Sequence, residues 1–355
     1  MTPRFIEDVD TPAVLVDVDR VEANLARAQA YADSHNLPLR PHIKTHKLPV
    51  FARRQVELGA VGITCQKLGE AEVMADGGQD DIFISYNLLG EEKMGRLARL
   101  MQRVTMRVAA DNPIVVGDLA KAAALAGRPL DVVVECDTGR KRSGVESPAD
   151  AIAVARAIKE AEGLSFAGFM LYPPEDAMAE TQAFLDTATA GVRDMGLEVT
   201  VVSSGGTPNL VNLGKIKGVT EHRAGTCIFN DRMMMACGAA TLEDCALTVL
   251  ATVVSRPTDV RAVLDAGSKS LTSDTLGMTG FGAVDGYPQA VVRALSEEHG
   301  QVHLAVAGQR PHIGERVRIV PNHACVISNL FDRVHLVSGD RVVDVVPVAA
   351  RGRVD

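Results

Sequence analysis

Asp131-Val132-Val133-Val134-Glu135-Cys136, the polar turn Asp137–Gly144, the stretch Ala149–Ala161 and Ser165-Phe166-Ala167-Gly168-Phe169-Met170-Leu171 follow one another in close succession. The first and last are short apolar runs, too short for helices, bounded by Asp and Gly; they read as buried strands. Between them apolar residues recur three and four apart, the spacing of a helix with one buried face. Strand, helix and strand in that order form a βαβ unit. Its two strands lie parallel, because a crossover of this length is what parallel neighbours need.

The same rhythm extends in both directions. Strands are expected at Ala13–Val18, Leu39–Lys44, Val61–Cys65, Asp81–Tyr86 and Thr105–Ala110 before this unit, and at Glu198–Ser203 and Val219–Ala224 after it. Amphipathic stretches such as Val21–Ser34, Glu91–Gln102 and Glu180–Met195 separate them. Eight of these nine strands would close a (β/α)8 barrel of the TIM type, leaving the first as an extra. A doubly wound open sheet is the alternative, but no G-x-G-x-x-G follows the first strand. After about Ala240 the rhythm changes to short alternating runs separated by Gly, Asp and Pro: Cys245–Ser255, Arg261–Asp265, Ala290–Leu295, Gln301–Ala305, Arg316–Val320, Arg333–Val337 and Arg341–Pro347. The expected organisation is an α/β barrel over residues 1–238 and a smaller all-β domain over 239–355, with strand 12–18 belonging to either.

The chain has 355 residues, 46% of them hydrophobic and 23% charged, which suits one large soluble domain plus a smaller one. A net charge of −8, four tyrosines and no tryptophan leave neither a basic surface nor stacking platforms, so nucleic acid is not an expected partner. No apolar run approaches the ~20 residues of a membrane helix, and no signal segment is visible, so no membrane partner is expected and the location is read as cytoplasmic. Six irregularly spaced cysteines suit reduced thiols better than a disulfide framework.

Chemistry enters at Arg40-Pro41-His42-Ile43-Lys44-Thr45-His46-Lys47. A lysine beside positive charge, and partly buried, loses its proton easily and becomes a carbonyl-trapping amine. A solvated basic loop would look similar in isolation; what favours catalysis is the position, where a strand meets the next helix. Ser203-Ser204-Gly205-Gly206-Thr207-Pro208 follows a later strand and offers amides and hydroxyls to an anion, and Arg223-Ala224-Gly225-Thr226 follows the next. Either alone is an ordinary turn, but two on successive strand ends fit the phosphate site of a barrel. A Schiff-base lysine at one strand end and a phosphate cup at others is the arrangement that pyridoxal 5'-phosphate (PLP) requires, since its aldehyde and phosphate sit on different substituents of one rigid ring. Arg142, in the cationic turn Asp137–Gly144, and Tyr172 are placed to contact the ring, and Gln66 ends another strand. In the β domain, Asn322-His323-Ala324-Cys325 puts an imidazole and a thiol two residues apart; on a strand both would face one way and could bind a metal.

These segments, with Phe229-Asn230-Asp231-Arg232 and Asp265-Ala266-Gly267-Ser268-Lys269, resemble the D-threonine aldolase and D-serine dehydratase family over nearly the whole chain. The resemblance implies a fold-type III PLP enzyme with an alanine-racemase-like barrel, working as a homodimer. It implies Lys44 as the cofactor lysine and Ser204, Gly205, Gly206, Thr207, Gly225 and Thr226 around the phosphate. Arg142 and Tyr172 would lie near the cofactor, Arg223 would face the pyridine nitrogen, and His323 and Cys325 would be ligands of a divalent metal, manganese or zinc. The substrate would be a small D-β-hydroxy amino acid. The expected reaction is retro-aldol cleavage to glycine and an aldehyde, because the text around Phe229–Arg232 and Ser328–Asp332 is more like the aldolases. The alternative is a D-serine or D-threo-3-hydroxyaspartate dehydratase, since a thiolate ligand is a dehydratase trait. A racemase would need a second acid/base from the β domain, where Tyr287 is the sole tyrosine. A non-catalytic PLP-binding protein would be a single barrel. The short Leu171-Tyr172-Pro173-Pro174 stretch, compared with relatives, is expected to open the pocket toward bulkier β-substituents.

Overall fold

A computed structural model describes residues 3–305 and 311–355. The chain divides into two compact units. One holds Arg27–Lys44, Leu48–Gly225 and Arg353–Asp355; the other holds Met1–Ala26, Thr45–Lys47 and Thr226–Gly352.

The strands, in chain order, are β1 Ala13–Asp17, β2 Ile63–Cys65, β3 Asp81–Ile84, β4 Thr105–Ala110, β5 Leu130–Cys136, β6 Leu164–Leu171, β7 Val201–Gly205 and β8 Glu221–Arg223, followed by β9 Leu247–Thr258, β10 Arg261–Leu264, β11 Gly282–Val284, β12 Val291–Leu295, β13 Gly300–His303, β14 Arg316–Pro321, β15 Arg333–Ser338 and β16 Arg341–Pro347. The helices are α1 Val18–Ser34, α2 Pro49–Glu57, α3 Leu68–Asp76, α4 Glu91–Met101, α5 Pro113–Ala126, α6 Pro148–Glu160, α7 Met178–Asp194, α8 Arg232–Ala236 and α9 Ala324–Leu330.

In the first unit β2 to β8 pair in chain order, every pairing parallel. The segment expected as strand Leu39–Lys44 occupies the place between β8 and β2 and closes the ring, but only through single bridges, Leu39 to His222 and His42 to Thr64. Its backbone bonds run both ways: Arg40 N–H to His222 O at 2.9 Å on one side, Thr64 N–H to Pro41 O at 2.8 Å on the other. Pro38 and Pro41 explain the weak ladder, because neither has an N–H to donate. The inner layer includes Phe83, Ala109, Val133, Ala167, Met170 and Val201. Helix starts follow local chemistry. Asn112 accepts from the Ile114 and Val115 amides ahead of α5, Ser147 accepts from the Asp150 amide ahead of α6, and a proline stands in the first turn of each.

The second unit is a nine-stranded sheet in the order β10-β13-β12-β11-β14-β9-β1-β15-β16. β1 pairs antiparallel with β9 and parallel with β15, so the leading strand belongs to this sheet and not to the barrel. The division also falls at Gly225/Thr226 rather than after residue 238. Residues 226–236 bond within the sheet unit: the Ala246 amide donates to Phe229 O at 2.7 Å and the Met233 amide to Asn322 O at 3.2 Å. Three further differences from the sequence reading stand here. β11 was not expected, since three residues carry no alternation to read. α8 and α9 interrupt what reads as all-β sequence. β14 ends at Pro321, so His323 is the N-cap of α9 and Cys325 lies in its first turn, not on a strand.

Gly168 interrupts β6 at φ +144°, where the β5–β6 register shifts. A Cβ there would stand 1.8 Å from the Val201 carbonyl oxygen, which is ladder backbone and cannot move aside. Gly168→Ala is therefore expected to cost about 3 kcal/mol, read as a fall in the denaturant midpoint; a loss below about 1 kcal/mol would contradict this account of the bulge.

Candidate functional site

All the barrel-side candidates stand where strands end. Lys44 follows the closing segment in the turn Ile43–Thr45 and is half-buried. Gln66 follows β2, Arg142 follows β5, Tyr172 follows β6, Gly205 ends β7 and Arg223 ends β8. Because the strands are parallel these ends share the barrel's C-terminal face, the face on which such barrels build their sites.

His42 reports how close several of them come. Its imidazole is held well below its ordinary pKa first by burial and then by the charges of Lys44, Arg223 and Arg142. Its Nε2 lies 3.1 Å from Gln66 Oε1, and the Gln66 amide is oriented by donating from Nε2 to Ser85 O at 3.2 Å. Nε2 of His42 therefore carries the proton, and Nδ1 is left to accept from the Lys44 amide at 3.4 Å. The positive neighbours expected for Lys44 are thus partly different. Arg40 turns into the barrel toward Glu221 and Asp81, His42 is neutral, and Lys47 donates to Asn329 Oδ1 and Ala350 O. Arg142 and Arg223, with Lys44 itself, are the charges that act on His42.

Asp137 makes the cationic turn. Its carboxylate accepts from the Gly139 and Arg142 amides at 2.8 and 2.7 Å, and these bonds lower its pKa although burial works against them. Arg140 and Arg142 lie over the Tyr172 ring at 4.5 and 5.1 Å, a cation–π clamp from two sides of the same turn. Tyr172 in turn lies against Gly206, where a Cβ would come within 2.3 Å of Cε2. At φ +99° only glycine turns the chain there without strain.

Arg223 is buried, and burial pulls its pKa down to about 10, so it stays charged. Nη1 donates to the carbonyl and hydroxyl of Ser203, and Nη2 donates to Leu171 O at 3.0 Å. The Ser203 hydroxyl donates onward to Glu221 Oε1 at 2.7 Å, and Glu221 also takes Arg40 at 2.8 Å and Arg107 at 3.4 Å. Gly205 leaves room for the guanidinium, since a Cβ would lie 2.8 Å from Nη2. The second cup closes beside it, where the Gly225 amide donates to Thr207 Oγ1 at 3.2 Å, with Thr226 next in the chain. Ser204 and Thr207 are buried at this end of β7. Glycines that a Cβ would fill, with three cations around His42, fit a phosphorylated, anionic ring.

In the sheet unit, His323 Nδ1 lies 3.0 Å from Asp231 Oδ2, and the same carboxylate accepts from the Ala324 amide at 2.9 Å. Burial opposes the imidazolium, but Asp231 and then Cys325 outweigh it and raise its pKa to about 10. Cys325 Sγ also lies 3.2 Å from Thr45 Oγ1, and Ser328 donates to Thr45 O at 2.7 Å. Asp231 occupies Nδ1 of His323, and Cys325 hydrogen-bonds the same imidazole. An imidazole nitrogen and a sulfur are donors of intermediate softness, a chemistry that would suit a divalent ion such as zinc. Among the described residues no group of three or more His, Cys, Asp or Glu side chains could hold a metal, so this pair would supply two donors.

The description "Alanine racemase, N-terminal domain" matches residues 16–233, and "Putative serine dehydratase domain" matches residues 246–337. A D-threonine aldolase of Arthrobacter sp. is 36% identical, covering 97% of this chain and 93% of that one. The chain belongs to the D-threonine aldolase and D-serine dehydratase family. This family joins an alanine-racemase-like PLP barrel to a β domain, as the fold here does. A D-threo-3-hydroxyaspartate dehydratase of Delftia sp. is 32% identical over 94% of this chain and 95% of that one. Among solved structures, a D-threonine aldolase from Filomicrobium marinum superposes with a TM-score of 0.92 at 34% identity, covering 100% of this chain and 99% of the other. A cysteine-to-alanine mutant of a D-threo-3-hydroxyaspartate dehydratase, described as metal-free, gives 0.86 at 30% identity, covering 96% and 98%.

Glu221, His222 and the role of Asp231 carry no sequence expectation, and Ser203, which opens an expected anion-binding turn, instead links Arg223 to Glu221. Glu221 and His222 look like ordinary strand residues, whereas Asp231 stands in the Phe229–Arg232 run that resembles the family.

His42 and His222 are both neutral in the fold; burial, against its bond to the Gly206 carbonyl, brings His222 down from 6.5 to about 4. The unfolded chain takes up those protons near pH 6.5, so below that pH it binds more protons than the fold and stability declines toward pH 4. The denaturant midpoint is expected to be lower at pH 5 than at pH 7, and His222→Gln should shrink the difference. An equal or higher midpoint at pH 5 would contradict the neutral assignments.

Proposed function

We propose that the chain is a PLP- and divalent-metal-dependent D-threonine aldolase that cleaves D-β-hydroxy-α-amino acids to glycine and an aldehyde. The observation that carries the reading is the His323–Cys325 pair backed by buried Asp231, in a chain that also presents Lys44 among Arg142, Arg223 and two phosphate turns. When bound, PLP supplies an electron sink at Cα, and manganese or zinc supplies Lewis acidity at the β-hydroxyl.

The residues divide the work. Lys44 is the amine that anchors the cofactor's carbonyl. Gly205, Gly206, Thr207, Gly225 and Thr226 would take the phosphate, with Ser204 supporting the turn from the side of His222, while Arg142 and Tyr172 border the ring. Arg223 stays charged at neutral pH and, on the family's pattern, would face the pyridine nitrogen and keep it unprotonated. His323 and Cys325 hold the cation, and Asp231 fixes the imidazole so that Nε2 is the ligating atom. Gln66 orients His42 beside Lys44. The homodimer is proposed on the family's pattern.

The dehydratase reading keeps specific support. In the dehydratase that superposes at 0.86 the substituted cysteine belongs to a protein described as metal-free in that form, and a second mutant of that enzyme replaces a histidine two positions earlier, the spacing of His323 and Cys325. In that alternative an amine beside Cα, Lys44, would remove the proton. A racemase is disfavoured because the Tyr287 hydroxyl donates to Glu315 instead of standing free as an acid/base.

Purified protein incubated with D-threonine, with and without chelator, is expected to yield acetaldehyde and glycine only when metal is retained. 2-Oxobutanoate and ammonia would move the assignment to the dehydratase, and neither pair of products would remove both; D-phenylserine in the same assay tests the short Leu171–Pro174 stretch. Lys44→Ala should abolish the visible absorbance of lysine-linked cofactor and lower turnover by at least about 10³-fold. Persistence of that band would reassign the anchoring amine.

A further inference from the structure

We propose that His222 is a positioning residue for the cofactor's phosphate, acting from behind the turn that receives it. The proposal rests on the PLP reading. Along β8 side chains alternate, so Glu221 and Arg223 share the face that carries the barrel's ion network, while His222 points the other way. It is only 1% exposed. Its Nε2 lies 3.1 Å from the carbonyl oxygen of Gly206. A carbonyl can only accept, so Nε2 carries the proton and the bond spends the one N–H of a neutral imidazole.

Gly206 is thereby held at both polar groups. Its N–H donates to Arg223 O at 3.0 Å, and its carbonyl takes His222 and, at 3.1 Å, the Asn209 amide. In a planar trans peptide the C=O and the following N–H point to opposite sides. Fixing the Gly206 carbonyl toward His222 therefore aims the Thr207 N–H away from it, across the turn. Pro208 comes next and has no N–H, so the direction of the Thr207 amide matters more here than in an ordinary turn. Glycine at 206 permits other orientations, so the His222 N–H reinforces the single backbone bond, from the Asn209 amide, that the Gly206 carbonyl accepts.

A small pocket of about 20 Å3 lies against the same imidazole, shared with Ser204, Asn209 and Asn212. One water needs ~10–15 Å3 and two or more polar neighbours, so the pocket has room for a single water beside the imidazole. The Gly206 carbonyl by itself sets the tautomer.

The test separates phosphate positioning from general damage by comparing PLP with pyridoxal, which has the aldehyde and no phosphate. Full-length protein freed of cofactor is titrated with each, following the visible band of lysine-linked ligand. His222→Phe, which keeps the volume and removes the N–H, is expected to weaken PLP binding at least tenfold while leaving pyridoxal binding within twofold; His222→Gln, which keeps a donor, should recover most of the loss. Equal weakening of both ligands, or unchanged PLP affinity, would overturn the proposal. If His222→Phe does not fold, His222→Asn, whose amide is too short to reach the carbonyl, reads the same ratio. Failure of wild-type protein to form the band with either ligand would refute the cofactor reading itself, an outcome distinct from any of these.

Discussion

The barrel unit depends on one buried carboxylate. Glu221 stands on the last strand and receives Arg40 from the closing segment, Arg107 from β4 and the Ser203 hydroxyl from β7. Burial pushes its pKa up, but the two guanidiniums and the hydroxyl more than compensate and hold it below the usual carboxylate range. Such a group is costly to bury alone and is tolerated only when its partners are all in place, so it acts as a condition on assembly more than as a source of stability. The condition falls where the ring closes. The closing segment bonds through its backbone to both neighbours, and the Arg40 side chain adds a charged attachment to the last strand.

The same carboxylate reaches the chemistry through a single hydroxyl. Ser203 donates to Glu221 and accepts from Arg223, so the guanidinium at the end of β8 is held by an anion it does not touch. Arg223 in turn lies against Gly205, and its carbonyl accepts from Gly206 in the glycine turn after β7. Alternation along three residues of β8 therefore separates three sets of contacts: Glu221 meets Arg40, Arg107 and Ser203, His222 meets the Gly206 carbonyl, and Arg223 bonds Ser203 and Leu171. A parallel barrel allows this economy because each strand ends at the face where ligands bind.

Within the sheet unit a second carboxylate plays a comparable part. Asp231 is fully buried and caps α8, meets the Ala324 amide and holds His323 Nδ1. The spacing of His323 and Cys325 reads as a strand pair facing one way, yet the chain turns into a helix at Ala324. The two side chains still interact, because a helix N-cap and a first-turn residue can approach as strand neighbours do. The pairing survives a wrong local geometry, and what replaces the strand as its cause is the carboxylate behind the histidine.

What could be read from the chain by itself was whatever local chemistry dictates. Apolar runs and helical spacing gave the βαβ order, turn residues marked the strand ends, and Lys44, the glycine turns and the H-x-C pair stood out because few other roles need those residue types in that pattern. Tertiary structure decided what depends on partners distant in sequence. It placed β1 in the sheet of the second unit, since a lone strand reads alike beside any neighbour. It sent Arg40 to Glu221 and Asp81 and Lys47 to Asn329 and Ala350, and brought the charges of Arg142 and Arg223 to His42, because a long cationic side chain goes to the carboxylate or carbonyl within reach. It also made His222 and Ser203 consequential, for a buried polar residue has no signature in sequence until the group it must satisfy is known.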